Sequence, residues 1–122
     1  MNQIRHFKDL IVWRKGMDLA KKVYEVTATF PADERFGMVS QMRRCAVSIP
    51  SNIAEGQARS STGEFKHFLG IARGSLAELE TQSQLAKELG FLNSSPHEEV
   101  DSSIQETGRI LNGLISSPAT SH

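Results

Sequence analysis

The sequence is poor in the features that most quickly assign a protein to a class. A single cysteine excludes an internal disulfide and agrees with a reducing compartment. No apolar run approaches the roughly 18 residues of a membrane span, and residues 1–9 lack the apolar segment of a signal peptide. We therefore expect a cytoplasmic protein that does not insert into a membrane.

Motifs of catalysis and cofactor binding are missing as well. There is no glycine-rich phosphate loop, no paired-histidine zinc motif and no dinucleotide fingerprint. Glu64 and His67 give one Glu-x-x-His spacing, but a di-iron bundle needs a second on another helix. Cys45 lies beside two arginines and has no histidine near it in sequence, which favours a buried structural thiol over a nucleophile. We expect no metal, no cofactor and no enzymatic activity.

Net charge is zero, but the two halves of the chain differ. Residues 1–60 carry ten Lys and Arg against six Asp and Glu, and residues 61–122 carry four against eight. Such asymmetry indicates either a basic face for an anionic partner or complementary helices, within one bundle or across a subunit contact. We favour complementary helices, because nucleic-acid-binding domains usually carry a clear positive charge.

Apolar residues recur at alternating spacings of three and four, which predicts four helices. The helices are expected over residues 9–30, 33–59 and about 64–89, and from Ser95 to near Ser116. Ser61 with Glu64 forms a capping box, Ser95, Pro96 and Glu98 give a second cap signature, and Gly90 fits a C-terminal cap. Short connections predict an all-α, antiparallel up-down-up-down bundle over residues 1–116, followed by a disordered tail, 117–122.

The predicted second helix contains a proline. The apolar spacing passes through Pro50 undisturbed, on Phe36, Val39, Met42, Ala46, Ile49 and Ile53, so a kinked continuous helix is favoured over two helices. Ser48, Ser51 and Asn52 lie where they could bond the freed Ala46 carbonyl. We expect one structural polar cluster that fixes the kink and a helix contact rather than a ligand site: Ser51, Asn52, Glu55 and Arg73.

The first helix has two adjacent apolar stripes, more than one seam of a bundle needs. One stripe, which is expected to face the core of the bundle, contains Leu10, Trp13, Met17, Ala20, Tyr24 and Thr27. The other is assigned to a subunit interface: Val12, Gly16, Leu19, Val23 and Val26. Gly16, which has no side chain, would allow a close helix contact.

Five basic residues of the first two predicted helices are candidates for phosphate contacts: Arg14, Lys15, Arg43, Arg44 and Arg59. The alternative is a solvated face that pairs with acidic residues of the other helices. Arg43 and Arg44 lie about 100° apart on a helix and cannot share one side of it.

Four runs of the sequence carry a resemblance that covers residues 7–92. They read FKDLIVW, FPADERFGM, RRCAVSIPSNIAEG and EFKHFLGIARGSLAELETQ. The chain resembles the bacterial four-helix-bundle family of proteins encoded in intervening sequences of large-subunit ribosomal RNA genes. The same family includes the accessory variability determinant proteins of diversity-generating retroelements.

The resemblance implies a homopentamer, with no catalytic residues to carry over. The retroelement members are strongly basic partners of a reverse transcriptase and its RNA, whereas this chain has no net charge. Cys45 stands where alanine is expected. The prediction is a homo-oligomeric, pentameric scaffold or adaptor that contacts RNA or an RNA-associated protein. The alternative is a protein-interaction module without nucleic-acid contact.

Overall fold

The fold is an all-α four-helix bundle, as the sequence predicts. The computed structural model describes residues 6–118. Its helices are α1 (Ile11–Thr27), α2 (Met38–Gln57), α3 (Thr62–Glu88) and α4 (Ser94–Ser116), with short 3-10 turns at Phe7–Asp9 and Ala32–Glu34. Each helix packs against its neighbours in sequence, and α4 packs against α1 to close the bundle.

The core lies along the bundle axis and is almost entirely aliphatic. Every helix contributes, because each places one apolar stripe inward at helical spacing. The largest fully buried apolar side chains are Leu19, Met42, Ile49, Ile53, Leu69, Leu79 and Leu111. Within residues 6–118, no helix is both long enough and apolar enough to cross a bilayer.

Helix α2 is continuous through Pro50, which is buried inside it. A Cβ atom on Gly16 of α1 would lie 3.4 Å from the Cβ of Pro50. The close helix contact expected at Gly16 is therefore real, but it joins α1 to α2 of the same chain. The Ser48 hydroxyl donates to the Cys45 carbonyl (2.6 Å), and the Asn52 side-chain amide donates to the Ser48 carbonyl (2.7 Å). Neither side chain bonds the Ala46 carbonyl, which was the expected acceptor.

The predicted subunit interface on α1 is wrong. Val12, Leu19 and Val23 are at most 1% exposed, and Gly16 is also buried, so none of them has surface left for a second subunit. Val26 is half-buried and packs against the same core. Periodicity finds both stripes of α1, but the positions of α2 and α4 decide which stripe points inward.

Two helix starts differ from the prediction. Helix α2 begins at Met38 rather than near Asp33, so Phe36 falls outside the helix and is 87% exposed instead of joining the core. Helix α4 begins at Ser94 with Asn93 as its N-cap, which moves Pro96 to the third helical position. A proline is tolerated there, because amide donors of the first turn have no partner within the helix.

The caps predicted at the two ends of α3 are confirmed, whereas α1 ends at Thr27 instead of residue 30 and α2 ends at Gln57 instead of residue 59. The Ser61 hydroxyl accepts a bond from the Glu64 amide, 3.1 Å away, at the start of α3. Gly90 follows α3 with φ of 81°. Of the predicted C-terminal tail, Ser117 donates to the Leu114 carbonyl and accepts from the Lys66 ammonium group, and residues 119–122 lie outside the described residues.

Candidate functional site

A groove lies between α1 and α2 and is termed here the apolar groove. It has a volume of about 640 Å³. Phe7 lies in the 3-10 turn before α1 and packs edge-on against Trp13, with ring centroids 5.2 Å apart. The groove is lined by Phe7, Trp13, Met17, Ala20, Lys21, Tyr24, Val47, Pro50, Ser51 and Ala54.

The apolar groove arises from the α1 stripe that the core does not use. Trp13 and Met17 are half-buried and Tyr24 is 46% exposed. On α2, Val47 is 42% exposed, because it lies about 100° round the helix from the core residue Ala46. Contiguous exposed apolar surface of this kind marks an interaction site more often than a scattered exposed leucine does.

A second groove lies between α2 and α3 and is polar. Its volume is about 410 Å³, and it is lined by Gln41, Arg44, Cys45, Ser48, Asn52, Ile71, Ser75 and Glu78. The Ser48 hydroxyl lies 2.8 Å from the Ser75 hydroxyl, and the Cys45 thiol donates to the Ser75 carbonyl at 3.1 Å. These bonds connect α2 to α3.

Cys45 has the environment of a structural thiol. It is buried at 6% exposure. Three effects together raise the pKa of the Cys45 thiol to about 12. The largest is burial, and the negative charge of Glu78 and a hydrogen bond with Glu78 add to it. Since the thiolate is the nucleophilic form, a thiol with this pKa is unreactive near neutral pH.

The five predicted phosphate-contacting residues do not form one patch. Lys15 pairs with Glu106 of α4 at 3.3 Å, whereas Arg44 is exposed on the α3 side of α2. Arg59 pairs with Glu55 at 2.7 Å and lies over the Phe68 ring. These contacts point the cations in different directions.

The two remaining arginines of that set bond to carbonyl groups of the chain. Arg14 donates to the Asp9 carbonyl at 3.1 Å. Arg43 donates to the Thr27 hydroxyl and to the Tyr24 carbonyl at the end of α1. Arg43 is half-buried and Arg44 is exposed, which fixes the orientation that the sequence left open.

The predicted polar cluster around the proline is also divided among different neighbours. Ser51 lines the apolar groove, whereas Asn52 lines the polar groove. Glu55 pairs with Arg59, and Arg73 donates to the Asn112 side chain on α4 at 3.1 Å. Adjacent helical residues point about 100° apart, so closeness in sequence did not produce one cluster.

Sequence reasoning missed the residues that make the apolar groove. Trp13 and Tyr24 were on the stripe taken for the core, and Val47 was outside the predicted α2 seam. The signal that pointed to a surface was the surplus of apolar stripes on α1. Within residues 6–118, no three His, Cys, Asp or Glu side chains are grouped so that they could hold a metal ion.

Comparison with known proteins identifies the family. Residues 8–113 match the model of the 23S rRNA-intervening sequence protein family. The chain belongs to this family. No curated protein matches it.

The fold of this family member is shared with a solved structure. That structure is a protein of unknown function from the S23 ribosomal protein family of Bacteroides thetaiotaomicron. It is 23% identical to this chain, with a TM-score of 0.79. The similarity covers 88% of this chain and 100% of the other, and it supports the same bundle architecture.

Proposed function

We propose that this chain is a non-enzymatic, cytoplasmic scaffold that assembles into a homo-oligomer and acts as an adaptor for other molecules. The number of subunits we propose is five, from the resemblance described above. The observation that carries the proposal is the apolar groove between α1 and α2. The relation to retroelement accessory proteins stays a prediction.

The apolar groove supports assembly because the core is filled without its exposed apolar side chains. Leu19, Val23 and Ile49 already fill the interior beneath it. Tyr24 and Val47 are 46% and 42% exposed. Covering each of them would therefore contribute a part of the about 1.5–3 kcal/mol that full burial of a large apolar side chain contributes. A second protein surface is the cover that the groove best fits.

The oligomeric state can be measured directly by sedimentation velocity over a range of protein concentrations. We expect a discrete oligomer for the natural sequence. Val47→Glu would place a charge in the groove and is expected to shift the protein toward monomer, without unfolding it, since Val47 is 42% exposed.

Ile11→Glu is the matched control, because Ile11 is 62% exposed and does not line the groove. This variant is expected to assemble like the natural sequence. A monomer for the natural sequence at every concentration would refute the proposed function.

A second candidate is contact with RNA, favoured by the exposed position of Arg44. Residues 6–118 give it no hydrogen bond or ion pair, so its charge is available to a phosphate. A ring of subunits would repeat this charge and strengthen weak binding by multivalency. The contacts of the other four basic residues favour the alternative, an adaptor that binds protein alone.

Binding to a labelled structured RNA at increasing salt tests this second candidate. If it is correct, the logarithm of the affinity falls linearly with the logarithm of salt concentration, and Arg44→Glu weakens binding. Arg109→Glu on the exposed face of α4 is the control for net charge. Equal loss in both variants would indicate a general charge effect and contradict a role for Arg44.

A further inference from the structure

Two contacts across the polar groove between α2 and α3 set the order of side chains along it. The Ser48 hydroxyl lies 2.8 Å from the Ser75 hydroxyl, and one turn away the Cys45 thiol interacts with Glu78. The two helices are antiparallel, so residues follow in opposite order along the two walls. Arg44 precedes Cys45 on α2 and also lines the groove. One end of the groove therefore carries a cation on α2 and an anion on α3.

The polar groups at this end lack partners. Among residues 6–118, neither Arg44 nor Glu78 forms an ion pair. Glu78 accepts one long hydrogen bond, from the Gln82 side-chain amide at 3.5 Å. The Oε1 atom of Gln82 is buried and accepts no hydrogen bond from the described residues. Buried polar atoms nearly always have a partner, so this acceptor indicates that a donor from outside the chain belongs beside Glu78.

The opposite end of the polar groove is less polar. Asn52 of α2 and Ile71 of α3 lie one turn beyond the two serines and line the groove there. Ile71 is 40% exposed. The Asn52 side-chain nitrogen donates to the Ser48 carbonyl, and the Asn52 side-chain oxygen has no hydrogen bond within residues 6–118. This end thus offers an apolar surface and one acceptor, about 10 Å from the charged end at the rise of an α-helix.

We propose that the polar groove binds a free α-amino acid with a neutral side chain. Arg44 binds the carboxylate, because its planar guanidinium can donate two parallel hydrogen bonds to a carboxylate. Glu78 and the Oε1 atom of Gln82 accept hydrogen bonds from the ammonium group. The side chain of the amino acid extends over Ile71 toward the free acceptor of Asn52.

The two opposite charges favour an amino acid over a simple ion. An anion lying in the groove would be repelled by Glu78, and a cation would be repelled by Arg44, whereas a zwitterion matches both. The groove volume of about 410 Å³ is in the range of small-molecule sites. The apolar groove lies on the other side of α2, so this proposal does not depend on the assembly proposed above.

Titration of L-glutamine into the isotope-labelled protein, followed by NMR, tests the site. Glutamine carries both charges, and its side-chain amide supplies a donor for Asn52. We expect the amide signals of residues that line the polar groove to shift as the site fills. Glutaramic acid lacks the ammonium group, and the α-amide of glutamine lacks the carboxylate. Each should bind more weakly than glutamine by about tenfold or more, because a charged hydrogen bond is lost.

Arg44→Gln and Glu78→Gln should each weaken glutamine binding by a similar factor. Both side chains are exposed, so circular dichroism should show an unchanged fold. Arg109→Gln and Glu98→Gln are the matched controls, because each removes a charge of the same sign from the exposed surface of α4. These two variants should bind glutamine like the natural sequence.

Three results would overturn the proposal: no shifts with glutamine at its highest soluble concentration, equal losses in the control variants, or equal affinity for glutaramic acid. The last result would show an anion site at Arg44 alone. Sedimentation of the protein without ligand tests the proposed assembly separately, so failure of the amino-acid site leaves that proposal standing.

Discussion

Arg43 shows how a single side chain fastens the end of one helix to the next. Its Nε atom donates to the Thr27 hydroxyl at 2.9 Å, and a terminal nitrogen donates to the Tyr24 carbonyl at 3.2 Å. The guanidinium also lies 4.5 Å from the centre of the Tyr24 ring. A positive charge near the last carbonyls of α1 interacts favourably with the helix dipole.

Arg43→Ala is therefore expected to lower the free energy of unfolding by about 1.5–3 kcal/mol, the usual contribution of hydrogen bonds from a charged group. Urea denaturation followed by circular dichroism measures the change. Arg44→Ala, one residue away and exposed, should change it by less than about 0.5 kcal/mol. Equal effects in the two variants would contradict this account of Arg43.

Cys45 gives a second prediction for a single residue. Its pKa rises from the ordinary 9.0 to about 12, so the folded state holds its proton more tightly than the unfolded state. The stabilisation from this thiol is complete below pH 9 and is lost as pH rises toward 12. Titration of unfolding against pH should show a smaller loss over this range in Cys45→Ala.

Reaction with a thiol reagent at pH 8 gives an independent measurement. The native protein should react far more slowly than the protein in concentrated urea, because the buried thiol is protonated. Equal rates would show that Cys45 is accessible or ionised in the folded state.

At the scale of whole helices, the ends decide where the chain turns. The C-terminus of α3 has both bonds of a Schellman motif: Phe91 donates to the Ala86 carbonyl at 2.9 Å and Gly90 to the Lys87 carbonyl at 3.0 Å. Gly90 has a positive φ of 81°, a conformation that residues with a side chain rarely adopt. This turn aims the chain toward α4.

Gly90→Ala should cost about 1–2 kcal/mol of stability, the penalty for a side chain in the left-handed region. Gly113→Ala in α4 is the matched control. A Cβ atom there meets no neighbouring atom within 4 Å, and alanine is the better helix former, so stability should rise by up to about 1 kcal/mol. Thermal unfolding of both variants gives the comparison, and a stabilising Gly90→Ala would rule out the strain argument.

At the scale of the molecule, ion pairs between α1 and α4 account for part of the charge asymmetry between the two halves of the chain. Lys15 pairs with Glu106 and Lys22 with Glu99, at 3.3 and 3.4 Å, so the basic α1 faces the acidic α4. These side chains are between 33% and 60% exposed. Exposed pairs contribute little individually because water and salt screen them.

The double variant Lys15→Ala, Lys22→Ala is expected to lose about 1 kcal/mol of stability in low salt. The loss should almost vanish in 1 M salt, where screening acts over a few ångströms. Denaturation at the two salt concentrations measures it. A loss that persists at high salt would indicate that the lysine stems contribute by packing instead of charge.

The sequence by itself determined the number of helices and the main residues of the core. Leu69, Leu76 and Leu79 of α3 and Val100, Ile104 and Leu111 of α4 recur at helical spacing and are buried. Each of these helices has one such apolar stripe, and that stripe faces the core. The local caps at Ser61 and Gly90 were equally readable, since each depends on residues within one or two turns.

Only the tertiary structure showed which apolar and polar side chains lie on the surface and what they border. Both α1 stripes are apolar, and only the packing of α2 and α4 showed that Val12 and Leu19 are interior and Trp13 and Tyr24 border a groove. The same holds for the polar residues near Pro50, which separate to different neighbours. Periodicity specifies which residues share a side of a helix. What that side faces depends on elements distant in sequence, and that is why the core could be predicted and the groove could not.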